Sequence, residues 1–137
     1  MADTPSKTGG RRNHSSASPF EPVYGYSRAV RVGDRISVGG TAPIEPDGSS
    51  TVGDAGVQAT RCLTIIGEAL AALGGSMADV VCTRMFITDA ADSDLVGRAH
   101  GSAFKNIQPA STMVVVSALI RPEWKVEIEA EAILIEK

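Results

Sequence analysis

The sequence predicts an α+β fold in which two helices cover one face of a mixed sheet. Two segments have apolar residues at spacings of three and four, and five others have strand-like patterns, in the order strand, strand, helix, strand, helix, strand, strand. Residues 112–118 are apolar or uncharged on both faces, which predicts a strand that is covered on both sides. Because two helices cover only one sheet face, we expect other copies of the chain to cover the second. A monomer with an extra covering loop is the alternative.

The N-terminal part of the chain is predicted to be a tail followed by a β-hairpin. Residues 1–17 are rich in Ser, Gly, Thr and charge without apolar periodicity, which indicates a flexible tail, and 18–137 form a single domain. Residues 26–32 and 36–40 read as strands that Gly33 and Asp34 join in a tight turn.

Helix signals follow in the middle of the chain. Asp54 is a good N-cap for a helix that ends at Gly74, after a surface loop at 42–53. Asp92 can cap a second helix over Ser93–Phe104, which contains two glycines.

Two strands of the second half differ in polarity. Residues 80–88 read as a strand with Arg84, a charge, in its middle. From 126 onward small or aliphatic residues alternate strictly with Glu127, Glu129 and Glu131, so this strand has one apolar face and one acidic face.

Composition excludes several classes of protein. A net charge of −3 and only 4% aromatic residues argue against a nucleic-acid surface. No apolar run is long enough to span a membrane, and the N-terminus is too polar for a signal peptide, so we expect a cytoplasmic protein. Cys62 and Cys82 are expected to be reduced thiols, and His14 and His100 are too few and too far apart to predict a metal site.

Five stretches match family signatures in their order and spacing: 25–30 (GYSRAV), 38–43 (VGGTAP), 83–89 (TRMFITD), 109–112 (PAST) and 126–130 (VEIEA). They resemble the RidA family, also called the YjgF or perchloric-acid-soluble endoribonuclease-like family. The resemblance implies a chorismate-mutase-like α+β fold and a homotrimer with three clefts between subunits. It also implies hydrolysis of 2-imino or enamine acids to 2-oxo acids and ammonia, without a cofactor or metal.

The resemblance assigns site residues and also marks departures from the active pattern. Glu127 matches the glutamate that orients the attacking water, and Tyr26 matches the site tyrosine. Ser111 stands where active members have a carboxylate-binding arginine, and Gly39 replaces a serine before Gly40. A neutral hydroxyl cannot form the paired bonds of a guanidinium, so we expect weak or no 2-imino acid deaminase activity.

The candidate residues therefore fall into two groups. Glu127 and Tyr26 are the catalytic candidates, and the ligand-binding candidates are Gly39, Gly40, Thr41, Ser111, Thr112, Met113, Arg28 and Arg84. Each has a structural alternative: a solvent-exposed strand charge for Arg28, a salt bridge for Arg84, and backbone hydrogen bonds for the threonines. His100 on the second helix is a further possible base, with a packing role as its alternative, and Arg121 is a loop cation.

Three functional classes remain open at this point. The first is a trimer whose clefts bind a small carboxylate or imine metabolite, and the second is an enamine or imine deaminase acting on a different substrate. The third, prompted by the family's name, is endoribonuclease or translation-inhibitor activity, which the acidic balance of the chain disfavours.

Overall fold

A six-stranded mixed sheet forms the centre of the fold in the computed structural model, which describes residues 10–135. Its strand order is β1-β2-β3-β6-β4-β5. Only the pair β4–β5 is parallel, and the other neighbours are antiparallel. The strands are β1 (Arg11–His14), β2 (Ala29–Val32), β3 (Arg35–Thr41), β4 (Val80–Ile87), β5 (Ala110–Val115) and β6 (Val126–Ile133).

Both long helices lie on the same face of this sheet, as predicted. They are α2 (Ala55–Ala72), which connects β3 to β4, and α3 (Ser93–Phe104), which connects β4 to β5. A short helix, α1 (Phe20–Tyr24), precedes β2. One apolar core holds the helices against the sheet, and it includes Ile66 and Leu70 of α2, Val96 and Phe104 of α3, and Ile128 of β6.

The start and the end of α2 follow from local chemistry. The carboxylate of Asp54 accepts a hydrogen bond from the backbone N–H of Val57 at 2.9 Å, which satisfies one of the free donors of the first turn. At the other end Gly74 takes the left-handed conformation (φ 86°), and Arg31 donates to the carbonyl of Leu73 at 2.8 Å. The N-cap and the glycine stop are those that the sequence predicted.

Strand β6 separates the two faces of the sheet. Its residues at even positions, Val126, Ile128, Ala130 and Ala132, are buried against the helices. Glu127, Glu129 and Glu131 therefore point to the opposite side, called here the open face. Because β6 lies between β3 and β4, these carboxylates are in the middle of the open face.

The structure corrects the predicted tail. Arg11–His14, which the sequence placed in the flexible segment 1–17, form β1 and pair with β2 along their whole length. This edge strand gains backbone hydrogen bonds and buries no side chain, so it leaves no apolar pattern in the sequence. Residues 1–9 lie outside the described range.

Strand β5 differs from its prediction in extent and in cover. It spans Ala110–Val115 rather than 112–118, and it is an edge strand. Val114 and Val115 are 42% and 53% exposed in the single chain, although the pattern predicted cover on both faces. Within residues 10–135, no helix has the length and apolar content needed to cross a membrane.

Candidate functional site on the open face

The glycine pair Gly39-Gly40 of β3 is the floor of the candidate site. Arg28 lies opposite Gly39, whose N–H donates to the Arg28 carbonyl at 3.0 Å. The Arg28 guanidinium crosses over Gly39, and its Nη2 donates to the carbonyl of Gly40 at 2.5 Å. A Cβ at position 39 would lie 3.1 Å from that Nη2. Gly39 therefore leaves the room that the guanidinium occupies.

Glu127 reaches the same floor from β6. A Cβ at position 40 would overlap Glu127 Oε2, so only glycine allows the carboxylate to pack there. On its other side Glu127 is paired across the strands with Phe86, which is half-buried. Burial raises the pKa of Glu127 and the neighbouring charge of Glu129 raises it further, whereas Arg28 acts in the opposite direction. The result is a half-buried carboxyl that holds a proton more readily than an exposed glutamate.

Arg28 is a half-buried cation. Burial lowers its pKa, and the nearby groups Tyr26, Glu21 and Glu127 partly offset that effect. Its Nε is inaccessible to solvent and has no hydrogen-bond partner among the described residues. Tyr26, two residues earlier in the same segment, is 41% exposed. The alternative of a solvent-exposed strand charge does not describe Arg28.

Thr41 lies on the other side of the sheet from this site. The register of β3 and β6 is irregular between Val38 and Thr41, and Thr41 pairs with the buried Ile128. Thr41 is fully buried, and its hydroxyl donates to the Gly39 carbonyl at 2.8 Å. Thr41 therefore does not face the open side of the sheet in the single chain, and its hydroxyl supports the glycine pair from the helix side.

Ser111 and Glu127 do not meet within one chain. Ser111 pairs with Thr83 on the helix side of the sheet, where the Thr83 hydroxyl donates to Ser111 Oγ at 2.8 Å. His100 of α3 contacts the same Thr83 hydroxyl through Nε2 at 2.8 Å, and its ring packs on Phe104. The polar chain His100–Thr83–Ser111 thus reaches the surface at the exposed edge strand, away from Glu127.

The remaining candidates on β5 divide between the two faces. Met113 is on the helix side and packs against the core. Thr112 is exposed and pairs with Arg84 on the open face.

Arg84 is held in a salt-bridge network. Its Nη1 lies 3.1 Å from Glu129 Oε1 and 3.1 Å from Glu131 Oε2, and these hydrogen bonds raise its pKa. The carboxylates are on the neighbouring strand of the same chain rather than across an interface. Arg84 lines a shallow depression of about 300 Å³ with Gly39, so it borders the candidate site without reaching its floor.

Arg121 connects the loop before β6 to the loop at 42–53. Arg121 lies over the ring of Trp124 at 5.2 Å and donates to the Gly48 carbonyl and to Ser50 Oγ. It is bound to the loop at 42–53 and does not face the glycine pair. A wider groove of about 760 Å³ follows the exposed side of α3 at Gly97 and Gly101, and it contains none of the candidate residues.

Sequence reasoning missed Phe86 as a neighbour of Glu127. The signal was available, since Phe86 shares the strand parity of Arg84 and so must lie on the same face.

Within residues 10–135, no group of three or more His, Cys, Asp or Glu side chains is arranged to hold a metal. Cys62 and Cys82 are both free thiols, and burial raises the pKa of Cys62, which keeps it protonated.

The fold and the open face together define a small α+β protein with a half-buried arginine and a half-buried glutamate beside a glycine pair on an uncovered sheet face. Comparison with known proteins gives the family. The chain belongs to the RidA (YjgF) family, and the family model described as "Endoribonuclease L-PSP" matches residues 16–134.

Relatives and solved structures agree with this assignment. The chain is 36% identical over 121 residues to the protein SCO2049 of Streptomyces coelicolor, covering 88% of this chain and 90% of that one. It is 30% identical over 112 residues to the 3-aminoacrylate deaminase RutC of Acinetobacter baylyi, covering 81% and 88%. The crystal structure of Rv2704 from Mycobacterium tuberculosis, a member of the YjgF/YER057c/UK114 family, superposes with a TM-score of 0.84 at 42% identity, covering 91% of this chain and 100% of that one.

Proposed function

We propose that this chain forms a trimer whose clefts bind a small carboxylate or imine metabolite, and that it hydrolyses 2-imino acids weakly or not at all. The observation that carries the proposal is the state of Ser111. Ser111 lies on the exposed edge strand β5, and its hydroxyl accepts a hydrogen bond from Thr83 of β4. Position 111 therefore offers no guanidinium to a ligand. A single hydroxyl loses the paired charge-assisted bonds to a carboxylate, each of about 1.5–3 kcal/mol.

Weak hydrolysis remains compatible with Glu127. In imine hydrolysis a water oxygen adds to the imine carbon, the water's proton passes to a base, and the C–N bond then breaks to release ammonia and leave a 2-oxo acid. A half-buried carboxyl with a raised pKa suits both proton transfers, since it can accept a proton from water and return it to the leaving nitrogen.

The experiment measures ammonia release from 2-imino acids that an amino-acid oxidase generates in the same solution. We expect the wild-type chain to add little to the spontaneous rate, and Ser111→Arg to raise the rate because position 111 is exposed and accepts a longer side chain. Ser117→Arg, at an exposed position beyond the strand, is the matched control and should change nothing. A wild-type rate comparable to that of an active family member would contradict the proposal.

A second candidate function is deamination of an enamine or imine substrate of different shape. The observation in its favour is that the Glu127 floor is complete without Ser111, because Gly40, Phe86 and Arg28 position it from within one chain. The deaminase name of the Acinetobacter relative points to the same reaction class. Ammonia release from 3-aminoacrylate generated in situ, lost in Glu127→Gln, would support this candidate.

RNA cleavage, which the name of the family model describes, has less support. The middle of the open face carries three carboxylates, and a phosphate backbone would be repelled there.

A further inference from the structure

We propose that Arg28 is the carboxylate-binding residue of this cleft, with its guanidinium held over Gly39 beside Glu127 and without a carboxylate partner of its own. The inference rests on the proposed function and deepens it, because it assigns the cation that Ser111 does not supply. The guanidinium occupies the volume above Gly39, where a Cβ would lie 3.1 Å from Nη2.

The hydrogen-bond donors of Arg28 are mostly unused. A guanidinium has five N–H donors in a planar fork. Among the described residues the Arg28 side chain donates one hydrogen bond, from Nη2 to the Gly40 carbonyl, and its buried Nε donates none. Nη1 has no partner among these residues either and is not among the buried donors, so it is free to donate to a ligand.

No carboxylate of the described chain forms a salt bridge with Arg28. The ion pairs within residues 10–135 belong to Arg35, Arg84 and Arg98. Glu21 contributes to the electrostatics of Arg28, but its two oxygens accept hydrogen bonds from Ser15 and Ser16. A half-buried cation in this state is stabilised by an external anion.

Glu127 does not take that role. Among the described residues no salt bridge joins Glu127 to Arg28, although the Arg28 charge acts to lower the pKa of Glu127 against the larger effect of burial. The two side chains therefore lie on one floor as separate groups, one able to hold an anion and the other able to exchange a proton.

This arrangement selects a small planar carboxylate with a reactive carbon next to it. The carboxylate would bind the Nη donors of the guanidinium, since Nε is buried, and the adjacent carbonyl or imine carbon would lie toward Glu127. Glu127 and Glu129 would repel any anion, and they would repel a phosphate more strongly than a carboxylate because a phosphate carries more negative charge. The ligand class is therefore a 2-oxo or 2-imino acid, or an enamine acid of similar size.

Binding of pyruvate and of the uncharged pyruvamide to the full-length protein tests the inference by calorimetry. We expect the wild type to prefer pyruvate, and Arg28→Gln to weaken pyruvate binding by at least about tenfold, which corresponds to about 1.4 kcal/mol. The preference over pyruvamide should disappear in the same variant. Arg28→Lys keeps the charge without the fork and should fall between the two. Arg98→Gln, at an exposed position on α3, is the matched control and should leave binding unchanged.

Two results would overturn the inference. One is pyruvate binding by Arg28→Gln with wild-type affinity; if the ammonia assay still behaves as proposed, only the assignment of Arg28 fails. The other is an Arg28 Nε–H resonance that does not move in NMR spectra when acetate is added. A resonance that moves with acetate while no imine or 2-oxo acid is bound or hydrolysed would support Arg28 as an anion site and would contradict the proposed function instead.

Discussion

Glu127 is held in a state that costs stability and serves chemistry. Burial between Phe86 and the glycine floor raises its pKa, so the ionised form is less favourable in the folded protein than in the unfolded chain. At pH values below the unfolded pKa the group is protonated in both states and this cost is absent. As pH rises through the folded pKa, the full cost appears and then stays constant.

The Glu127→Gln variant should therefore be more stable than the wild type at neutral pH. Its advantage in Tm should be largest above the folded pKa and should vanish below about pH 4, near the ordinary glutamate pKa. Thermal melts between pH 3.5 and 8 measure this, with Glu131→Gln as the control, since Glu131 is bound to Arg84 and Arg35 and its loss should lower the Tm. The same Glu127→Gln variant should show no deaminase activity. A neutral-pH Tm below that of the wild type would contradict the burial argument.

At the scale of elements, Gln58 of α2 determines where two loops lie. Its side-chain amide donates to the Thr51 carbonyl at 3.1 Å and to the Glu123 carbonyl at 3.0 Å, and its oxygen accepts from the Lys125 N–H at 2.8 Å. Gln58 is only 3% exposed, so water cannot replace the hydrogen bonds that its side chain makes to these backbone groups. One side chain thus connects the loop at 42–53 to the segment that leads into β6 and Glu127.

Gln58→Leu should lower the free energy of unfolding by about 2–3 kcal/mol, because it leaves buried backbone groups without partners. Urea denaturation measures the change. Thr60→Ala, at an exposed position on the same helix, is the control and should shift the midpoint little. A midpoint for Gln58→Leu within error of the wild type would show that the loops are held by other contacts.

The elements also show which parts of the fold the sequence predicts. The N-cap of α2 and the hairpin turn at Gly33 follow from local chemistry, and the structure confirms them. The limits of α3 are also as predicted, but the Asp92 side chain makes no capping hydrogen bond. Strand β1 and the face of Thr41 could not be predicted, because they depend on pairing with distant strands and on an irregular register. For the site, the strict alternation of β6 predicts the face on which Glu127 lies. The contact between Arg28 and Gly40 could not be predicted, because it depends on how β2 and β3 pack.

In the single chain the open face of the sheet and the outer edge of strand β5 are not covered by any other element among the described residues. Val114 and Val115 of the edge strand are exposed, and Phe86 and Glu127 lie next to it on the open face. We expect a trimer in which the open face and β5 pack against neighbouring copies. Ser111, on the edge strand of one copy, would then approach the glycine floor of another copy, although the two are apart within one chain.

Val114→Asp should disrupt this assembly, because it places a charge on the open-face side of β5. Native mass spectrometry should then find mainly monomer, while the wild type gives about three times the mass of one chain. Val52→Asp, in a loop at 94% exposure, is the control and should remain assembled. A wild-type protein that is monomeric at micromolar concentration would contradict the trimer.

Carboxylate binding over the glycine pair, between Arg28 and Glu127, is the proposal on which the function of the open face depends. A crystal structure of the assembled protein with pyruvate tests it most directly. We expect the carboxylate of pyruvate in bidentate contact with the Arg28 guanidinium, and its carbonyl carbon on the side of Glu127. Pyruvate bound at Ser111 or Arg84 with Arg28 untouched would contradict it.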